Sequence, residues 1–171
     1  NNFNGNGVTL DANLALTAES IRGKFSYTTP NFAYSDRSVT TLLESVSTDK
    51  EKDYGYKSSL NKILLGTSFE QYEDLFLSPS FSISLEELTT TAKASENYKK
   101  QEGSYFDALL NYSITYDALN SSYRPTSGFV STFIQELPIL SDGYNIINGY
   151  QITGYQEVVN DSILSMGIFT R

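Results

Sequence analysis

The sequence predicts an all-β, antiparallel fold, and two segments indicate it most clearly. Between Leu75 and Glu86 the chain reads L-F-L-S-P-S-F-S-I-S-L-E, with apolar residues at every odd position and serine at four of the six even ones. The stretch from Tyr105 to Asp117 repeats this alternation. Because successive side chains of a β-strand point to opposite faces, each segment would present one apolar and one polar face. Each is also long enough to cross a bilayer as a tilted strand.

The same reading along the rest of the chain predicts about nine strands and no convincing helix. The polar stretch 89–103 reads as a long, exposed and mobile loop. Longer gaps at 49–53, 89–103 and 138–143 alternate with tighter turns, an asymmetry that is typical of outer-membrane barrels. The predicted strands are 8–16, 20–28, 38–47, 54–67, 75–86, 105–117, 128–137, 144–157 and 162–170.

The fourth predicted strand is the least regular. Tyr54, Tyr56, Leu60 and Leu64 would share its apolar side, and Lys62 falls on that side near the middle. A charge on a lipid-facing surface costs about 2–4 kcal/mol at the bilayer midplane and little near the interface. Lys62 must therefore snorkel, lie near a margin or mark a shift of register.

Composition narrows the function classes. The 171 residues include 13 Tyr and 10 Phe but no Trp, Cys or His, and the net charge is −8. A chain without Cys and His lacks disulfides, thiolate metal sites and the usual general base. An acidic chain without a Lys/Arg stripe argues against nucleic acid as a partner. Tyrosine-rich, strand-patterned chains fit a transmembrane barrel or a soluble β-sandwich.

The candidate catalytic and binding groups all have simpler explanations. Carboxylates at 86–87 and 49–53 lack the spacing of an acid/base pair or of an EF-hand and read as solvated loop charges. Serines at the even positions 78–84 have no histidine base and are explained by a wet barrel wall. Tyrosines such as Tyr112 and Tyr150 could stack sugars, yet interface aromatics or sheet packing explain them equally well. We predict no catalytic residue, no metal and no cofactor.

The most distinctive turn is Y-R-P-T-S-G, formed by Tyr123, Arg124, Pro125, Thr126, Ser127 and Gly128. Proline pre-sets one backbone angle and Gly128 tolerates angles that other residues avoid. Together with N-F-N-G-N-G at 2–7 and Y-T-T-P-N-F at 27–32, it resembles, in order and approximate spacing, the barrel of the BamA-type outer-membrane protein assembly factors, the bacterial surface antigen barrel family. Asn4 departs from the apolar residue that is usual in the family.

The resemblance covers essentially the whole chain and implies a partial transmembrane barrel, from about the third to the eleventh of sixteen strands. We accordingly expect residues 1–171 to be one fragment of a barrel domain, without POTRA domains and cut from a longer protein. The arginine-containing V-R-G-F motif of the family is absent from this sequence. The resemblance implies a cell outer-membrane location in a Gram-negative bacterium. The implied partners are outer-membrane lipids, unfolded outer-membrane protein clients and assembly-complex lipoproteins.

The predicted function is to help insert and fold β-barrel proteins, without enzymatic activity. A passive outer-membrane transporter or porin and a soluble β-sandwich binding module remain as alternatives, because strand alternation suits all three. If the barrel is correct, one face of each strand meets lipid. The predicted lipid-facing residues are Leu75, Leu77, Phe81, Ile83, Phe106, Leu110, Tyr112, Ile114, Leu164, Met166 and Ile168.

Overall fold

A computed structural model describes residues 7–159 and 162–171. Within these residues, nine strands pair in chain order, each antiparallel to the next, to form one sheet with β1 and β9 at its edges. The predicted all-β, antiparallel architecture is confirmed. The strands are β1 (Thr9–Leu16), β2 (Ser20–Thr29), β3 (Ser38–Lys50), β4 (Tyr56–Tyr72), β5 (Leu75–Thr90), β6 (Gly103–Asp117), β7 (Ser127–Ser141), β8 (Ile147–Val159) and β9 (Ser162–Thr170).

Among the described residues, three helical segments of three to five residues lie in the connections between strands, which agrees with the prediction of no convincing helix. They are a 3-10 turn at Phe32–Tyr34, α1 at Glu51–Tyr54 and α2 at Glu96–Lys100. Helix α2 lies in the stretch that the sequence predicted as an unstructured loop. That stretch is also shorter than predicted, because β5 continues to Thr90.

The connections divide between two rims of the sheet. The first rim carries residues 17–19, 51–55, 91–102 and 142–146, and the second carries 30–37, 73–74 and 118–126. Both rims mix short and long connections, so the predicted asymmetry in length was wrong. It failed because β4, β5 and β7 run further than their sequence patterns suggested.

The sheet is a single layer with few buried side chains. Among the described residues, the buried apolar ones are Val8, Leu88, Ala94 and Ala108. A soluble β-sandwich packs two sheets face to face across a shared core. One nine-stranded sheet without a second layer therefore contradicts the sandwich alternative for the described part of the chain.

The β4–β5 pairing is interrupted at Pro79, and its register also shifts between Glu70 and Tyr72. Paired residues run without a break to Gly66 and Ser80 and resume at Phe69 and Leu77. Proline has no N–H to give to a neighbouring strand, so it is rare inside a sheet. The hydroxyls of Ser68 and Ser78 bridge the interruption with a hydrogen bond of 2.8 Å.

Candidate membrane-facing wall

The strand registers sort the side chains into two faces, which we call the apolar face and the polar face. Directly paired residues of an antiparallel sheet lie on the same face. Leu77 pairs with Ile114, and Ile114 pairs with Phe133, so the apolar face is continuous from β5 to β7. Ile152 and Ile168 continue it to β9. All eleven predicted lipid-facing residues lie on this face: Leu75, Leu77, Phe81, Ile83, Phe106, Leu110, Tyr112, Ile114, Leu164, Met166 and Ile168.

Aromatic rings on the apolar face pack across neighbouring strands. The ring centroids of Tyr112 and Phe133 lie 6.3 Å apart, and those of Tyr116 and Phe129 lie 5.8 Å apart, both in tilted arrangements. Phe81, at the centre of β5, remains 39% exposed. These side chains contact one another along the sheet but have no protein layer above them among the described residues. Contact of this exposed apolar surface with water is unfavourable, so the face suits an apolar surrounding.

The polar face is held by side-chain hydrogen bonds between strands. Ser82 is 1% exposed, and its hydroxyl accepts a hydrogen bond of 3.1 Å from the Asn111 amide. The hydroxyls of Thr115 and Thr132 lie 3.1 Å apart. The serine stripe of β5 therefore lies against polar neighbours, as a wet wall requires.

Lys62 lies on the polar face, which corrects the sequence prediction for β4. It pairs with Glu44 of β3 and Ser84 of β5. Leu60 and Leu64 accompany it there, because Leu64 pairs with Ser82. The apolar residues of β4 that lie on the apolar face include Ile63, Leu65 and Phe69. The charge at Lys62 thus needs neither snorkelling nor a register shift.

Strands β3 and β4 differ from their neighbours near the first rim. Their apolar-face positions there are occupied by a group that we call the polar strip: Ser45, Ser47, Asp49, Lys57, Ser59 and Asn61. The Ser45 hydroxyl donates a hydrogen bond of 2.8 Å to the Asn61 side-chain oxygen. The Lys57 ammonium lies 3.2 Å from the Asp49 carboxylate and 2.6 Å from that of Glu51. Behind the strip, on the polar face, Val46 pairs with Leu60.

The connection 91–102 bends towards the polar face of the first rim. Tyr98 of this connection stacks on Tyr56, a polar-face residue of β4, with ring centroids 4.3 Å apart. The Tyr105 hydroxyl donates to the Gln101 carbonyl at 2.8 Å, and the Thr90 hydroxyl donates to the Glu102 carboxylate at 2.8 Å. The stretch predicted as a mobile loop is thus tied to the sheet at three points that sequence patterns gave no means to identify.

The Y-R-P-T-S-G turn is built around Asn120, a residue that the sequence did not single out. Its side-chain oxygen accepts hydrogen bonds from the backbone N–H groups of Thr126 at 3.0 Å and Ser127 at 3.1 Å. Its amide donates to the Thr126 hydroxyl at 2.7 Å. The Asn120 side chain therefore closes the second-rim connection at its base. An asparagine at the entry to a Pro-Thr-Ser turn was the signal that could have identified it.

Gly128 has the backbone geometry that the sequence predicted. Its φ is +100°, and a Cβ placed there would lie 2.1 Å from the Ala118 carbonyl oxygen. Only glycine fits this position without a shift of the backbone. Tyr123 and Arg124 are exposed at the tip of the turn, whereas Pro125 is half-buried. The turn has a structural role, because it closes the connection between β6 and β7, and it brings no reactive groups together.

Of the other two motifs that carry the resemblance, the one at 27–32 lies within the described residues and the one at 2–7 lies mostly outside them. In Y-T-T-P-N-F, strand β2 ends at Thr29, and Asn31 after Pro30 has a left-handed φ of 50°. Of N-F-N-G-N-G at 2–7, only Gly7 lies within the described residues, where its φ is +71°. The departure at Asn4 lies outside them.

Among the described residues, no group of three or more Asp and Glu side chains is arranged to hold a metal ion. Within the same ranges, none of the helices is long and apolar enough to cross a membrane.

Comparison with known proteins gives the family. A model of the Omp85 superfamily domain matches residues 2–167. The chain belongs to the Omp85 superfamily. The fold of this Omp85 chain also matches the crystal structure of BamA from Haemophilus ducreyi lacking POTRA domains 1-3, with a TM-score of 0.75 and 19% sequence identity. The match covers 97% of this chain and 35% of the BamA chain. No curated protein matches the sequence significantly.

Proposed function

We propose that this chain is a wall segment of an outer-membrane barrel that inserts and folds other β-barrel proteins in a Gram-negative bacterium. The observation that carries the proposal is the continuous antiparallel pairing of nine strands with one largely apolar face, in a chain of the Omp85 superfamily. The chain spans about a third of the BamA structure that it matches, so the activity belongs to the complete protein. The segment forms part of the barrel wall and contributes no enzymatic chemistry.

In this proposal the apolar face meets lipid and the polar face lines the barrel interior. A membrane-spanning sheet must pair every backbone N–H and C=O, because hydrocarbon offers no replacement partner. Seven strands of this chain have neighbours on both sides, whereas β1 and β9 each have a free edge. Those two edges need the rest of the barrel. We therefore expect residues 1–171 expressed alone to aggregate or to insert poorly.

The proposed mechanism rests on the physics of strand edges. An exposed edge presents free N–H and C=O groups on which an extended client strand can pair. An openable seam elsewhere in the complete barrel would supply that edge, while this wall holds the barrel in the bilayer. The proposed partners are outer-membrane lipids, unfolded outer-membrane protein clients and the lipoproteins of an assembly complex.

The first experiment tests the wall. Single cysteines replace Leu77, Ile83 and Leu110 on the apolar face, and Ser78, Ser84 and Asn111 serve as matched positions on the polar face, in the complete protein reconstituted in bilayers. A lipid-soluble photolabel should modify the first three and spare the other three. Equal protection of all six positions would show that the sheet does not span the membrane.

A second experiment separates an assembly factor from a passive transporter. Vesicles containing the complete protein should fold a urea-unfolded outer-membrane barrel protein faster than vesicles containing a porin at the same protein-to-lipid ratio. Equal folding rates in the two preparations would favour the passive transporter, even if the photolabel had established a membrane-spanning wall.

A further inference from the structure

The polar strip interrupts one cross-strand row of the apolar face. This row runs Leu14, Gly23, Ser45, Asn61, Leu85 and Phe106, each residue being directly paired with the next. The row one step closer to the second rim is apolar throughout: Ala12, Phe25, Leu43, Ile63, Ile83 and Ala108. The interrupted row is thus apolar at its two sides and polar in the middle.

A flat bilayer boundary does not produce this order. Strands of a barrel tilt by about 35–45°, so a cross-strand row rises or falls steadily around the wall. A plane crosses such a row once, which would leave apolar residues at one side and polar residues at the other. Leu14 at 69% exposure and Leu85 at 52% exposure lie on opposite sides of the polar pair. Within the proposed wall, a boundary that dips at β3 and β4 accounts for this order.

The lengths of the apolar runs agree with a dip. Along β5 the apolar face runs from Leu75 to Leu85, about 33 Å of strand. Along β4 it runs from Ile63, the partner of Ile83, to Tyr72, the partner of Leu75, so it ends one cross-strand row, about 7 Å of strand, earlier at the first rim. After correction for the tilt, β5 matches a band about 25 Å tall, whereas β4 falls short by roughly 5 Å. Bilayers adapt to short apolar segments by thinning.

We propose that the polar strip binds the glycerol-ester and headgroup layer of bilayer lipids, which descends here into the depth that hydrocarbon occupies on either side. The chemistry of the strip fits this layer. Ser47, Ser59 and the Asn61 amide offer neutral donors that suit ester carbonyls, and Lys57 is already paired with Asp49 and Glu51. The exposed strip is continuous with the first rim. This inference rests on the proposed membrane-spanning wall and adds a lipid contact site to it.

The test measures the environment at positions of one row. Spin labels are placed on single cysteines at Leu14, Ser45, Asn61 and Leu85, and at the wall positions Leu77, Ile83 and Leu110, in the complete protein. The protein is reconstituted in phosphatidylethanolamine–phosphatidylglycerol vesicles. Labels at Ser45 and Asn61 should collide with a water-soluble nickel chelate several-fold more often than labels at Leu14 and Leu85, which should collide mainly with oxygen.

Each other outcome is decisive. Oxygen-rich environments at all four row positions would mean that the Ser45–Asn61 pair simply lies in hydrocarbon, and nickel access at all four would place the whole row outside the bilayer. Protection of Ser45 and Asn61 from both reagents would indicate a protein partner. All three results overturn the lipid site while oxygen access at Leu77, Ile83 and Leu110 keeps the wall. Loss of oxygen access at those three positions would overturn the wall itself.

A variant pair gives a second readout. Ser45→Leu combined with Asn61→Leu should raise the boundary, so that a label at Ser59 changes from nickel access to oxygen access. Ser131→Leu, on the apolar face of β7, is the matched control and should leave the label at Ser59 unchanged. An unchanged label at Ser59 in the double variant would contradict the proposed contact.

Discussion

The β5–β6 and β3–β4 pairs show how far one sheet can vary along its width. On β5 and β6 the apolar face is apolar over most of its length, and the polar face carries small hydroxyl and amide groups, with Ser82 and Asn111 bonded to each other. On β3 and β4, near the first rim, Ser45 and Asn61 occupy the apolar face. Strand pairing is equally regular in both regions, so backbone geometry does not determine which surroundings a strand pair suits.

The difference shows that side-chain pattern and strand register carry separate information. The register decides which residues share a face, and the residues then decide what that face contacts. A wall can therefore keep its hydrogen-bond ladder while its surroundings change from one strand pair to the next. Four comparisons of variants would break or sharpen the contrast between the two regions.

The largest effect is expected from a charge in the apolar centre of β5. Phe81→Arg should lower the free energy of unfolding of the complete protein in vesicles by about 2–4 kcal/mol, whereas Ser45→Arg in the polar strip should cost about 0–1 kcal/mol. Urea titration of the reconstituted protein measures both. Equal losses for the two variants would remove the contrast between the regions.

The second effect concerns the turn that borders β6. Gly128→Ala forces a Cβ to 2.1 Å from the Ala118 carbonyl at a φ of +100°, and the strain should cost about 1–3 kcal/mol. Hydrogen exchange should accelerate in β6 and β7 and stay unchanged in β3 and β4. Gly143→Ala is the control, because its Cβ would meet the Asn145 amide at an ordinary 3.7 Å. Acceleration in all strands alike would mean that the wall opens as one unit.

The third effect compares two asparagines. Asn111→Ala removes the donor to the buried Ser82 hydroxyl and should cost about 0.5–1.5 kcal/mol. Asn61→Ala removes an exposed pair with Ser45 and should change stability by less than about 0.5 kcal/mol. The two variants are compared by the same urea titration. A larger loss at Asn61 would show that the polar strip, and not the buried pair, is the tightly bonded region.

The smallest effect is local. Tyr98→Ala removes the stack on Tyr56 and should loosen the connection 91–102 by about 0.5–1.5 kcal/mol, with little change in global stability. Trypsin should then cut faster after Lys99 or Lys100. Tyr123→Ala, which changes a 92% exposed residue at the other rim, should leave this cutting rate unaltered. Unchanged cutting in Tyr98→Ala would mean that the stack does not hold the connection.

Sequence alone predicted the strands best where polarity alternates on a strict period of two. On β5 and β6 one face is almost wholly apolar, so the faces were assigned correctly. On β4 both faces carry leucines, and only the pairing of Ile63 with Ile83 and of Lys62 with Ser84 decides between them. A one-residue ambiguity of this kind exchanges the two faces.

Sequence patterns did not predict the features that depend on contacts between residues far apart in the chain. Polar composition made 89–103 look like an open loop, because the stack of Tyr98 on Tyr56 joins residues that are far apart in the chain. The role of Asn120 depends on the chain folding back, so that the backbone N–H groups of Thr126 and Ser127 reach its side-chain oxygen. Propensity describes the segment itself, whereas these contacts are tertiary.

The inward bend of the connection 91–102 has a consequence for permeation. In the proposed barrel, Tyr98 and α2 lie over the polar face at the first rim, held by Tyr56 and Tyr105. An ion entering from that rim would meet a folded segment before it reached the hydroxyl-lined wall. On this side of the proposed barrel the segment would narrow the aperture for electrical current, so strand number alone would overestimate single-channel conductance.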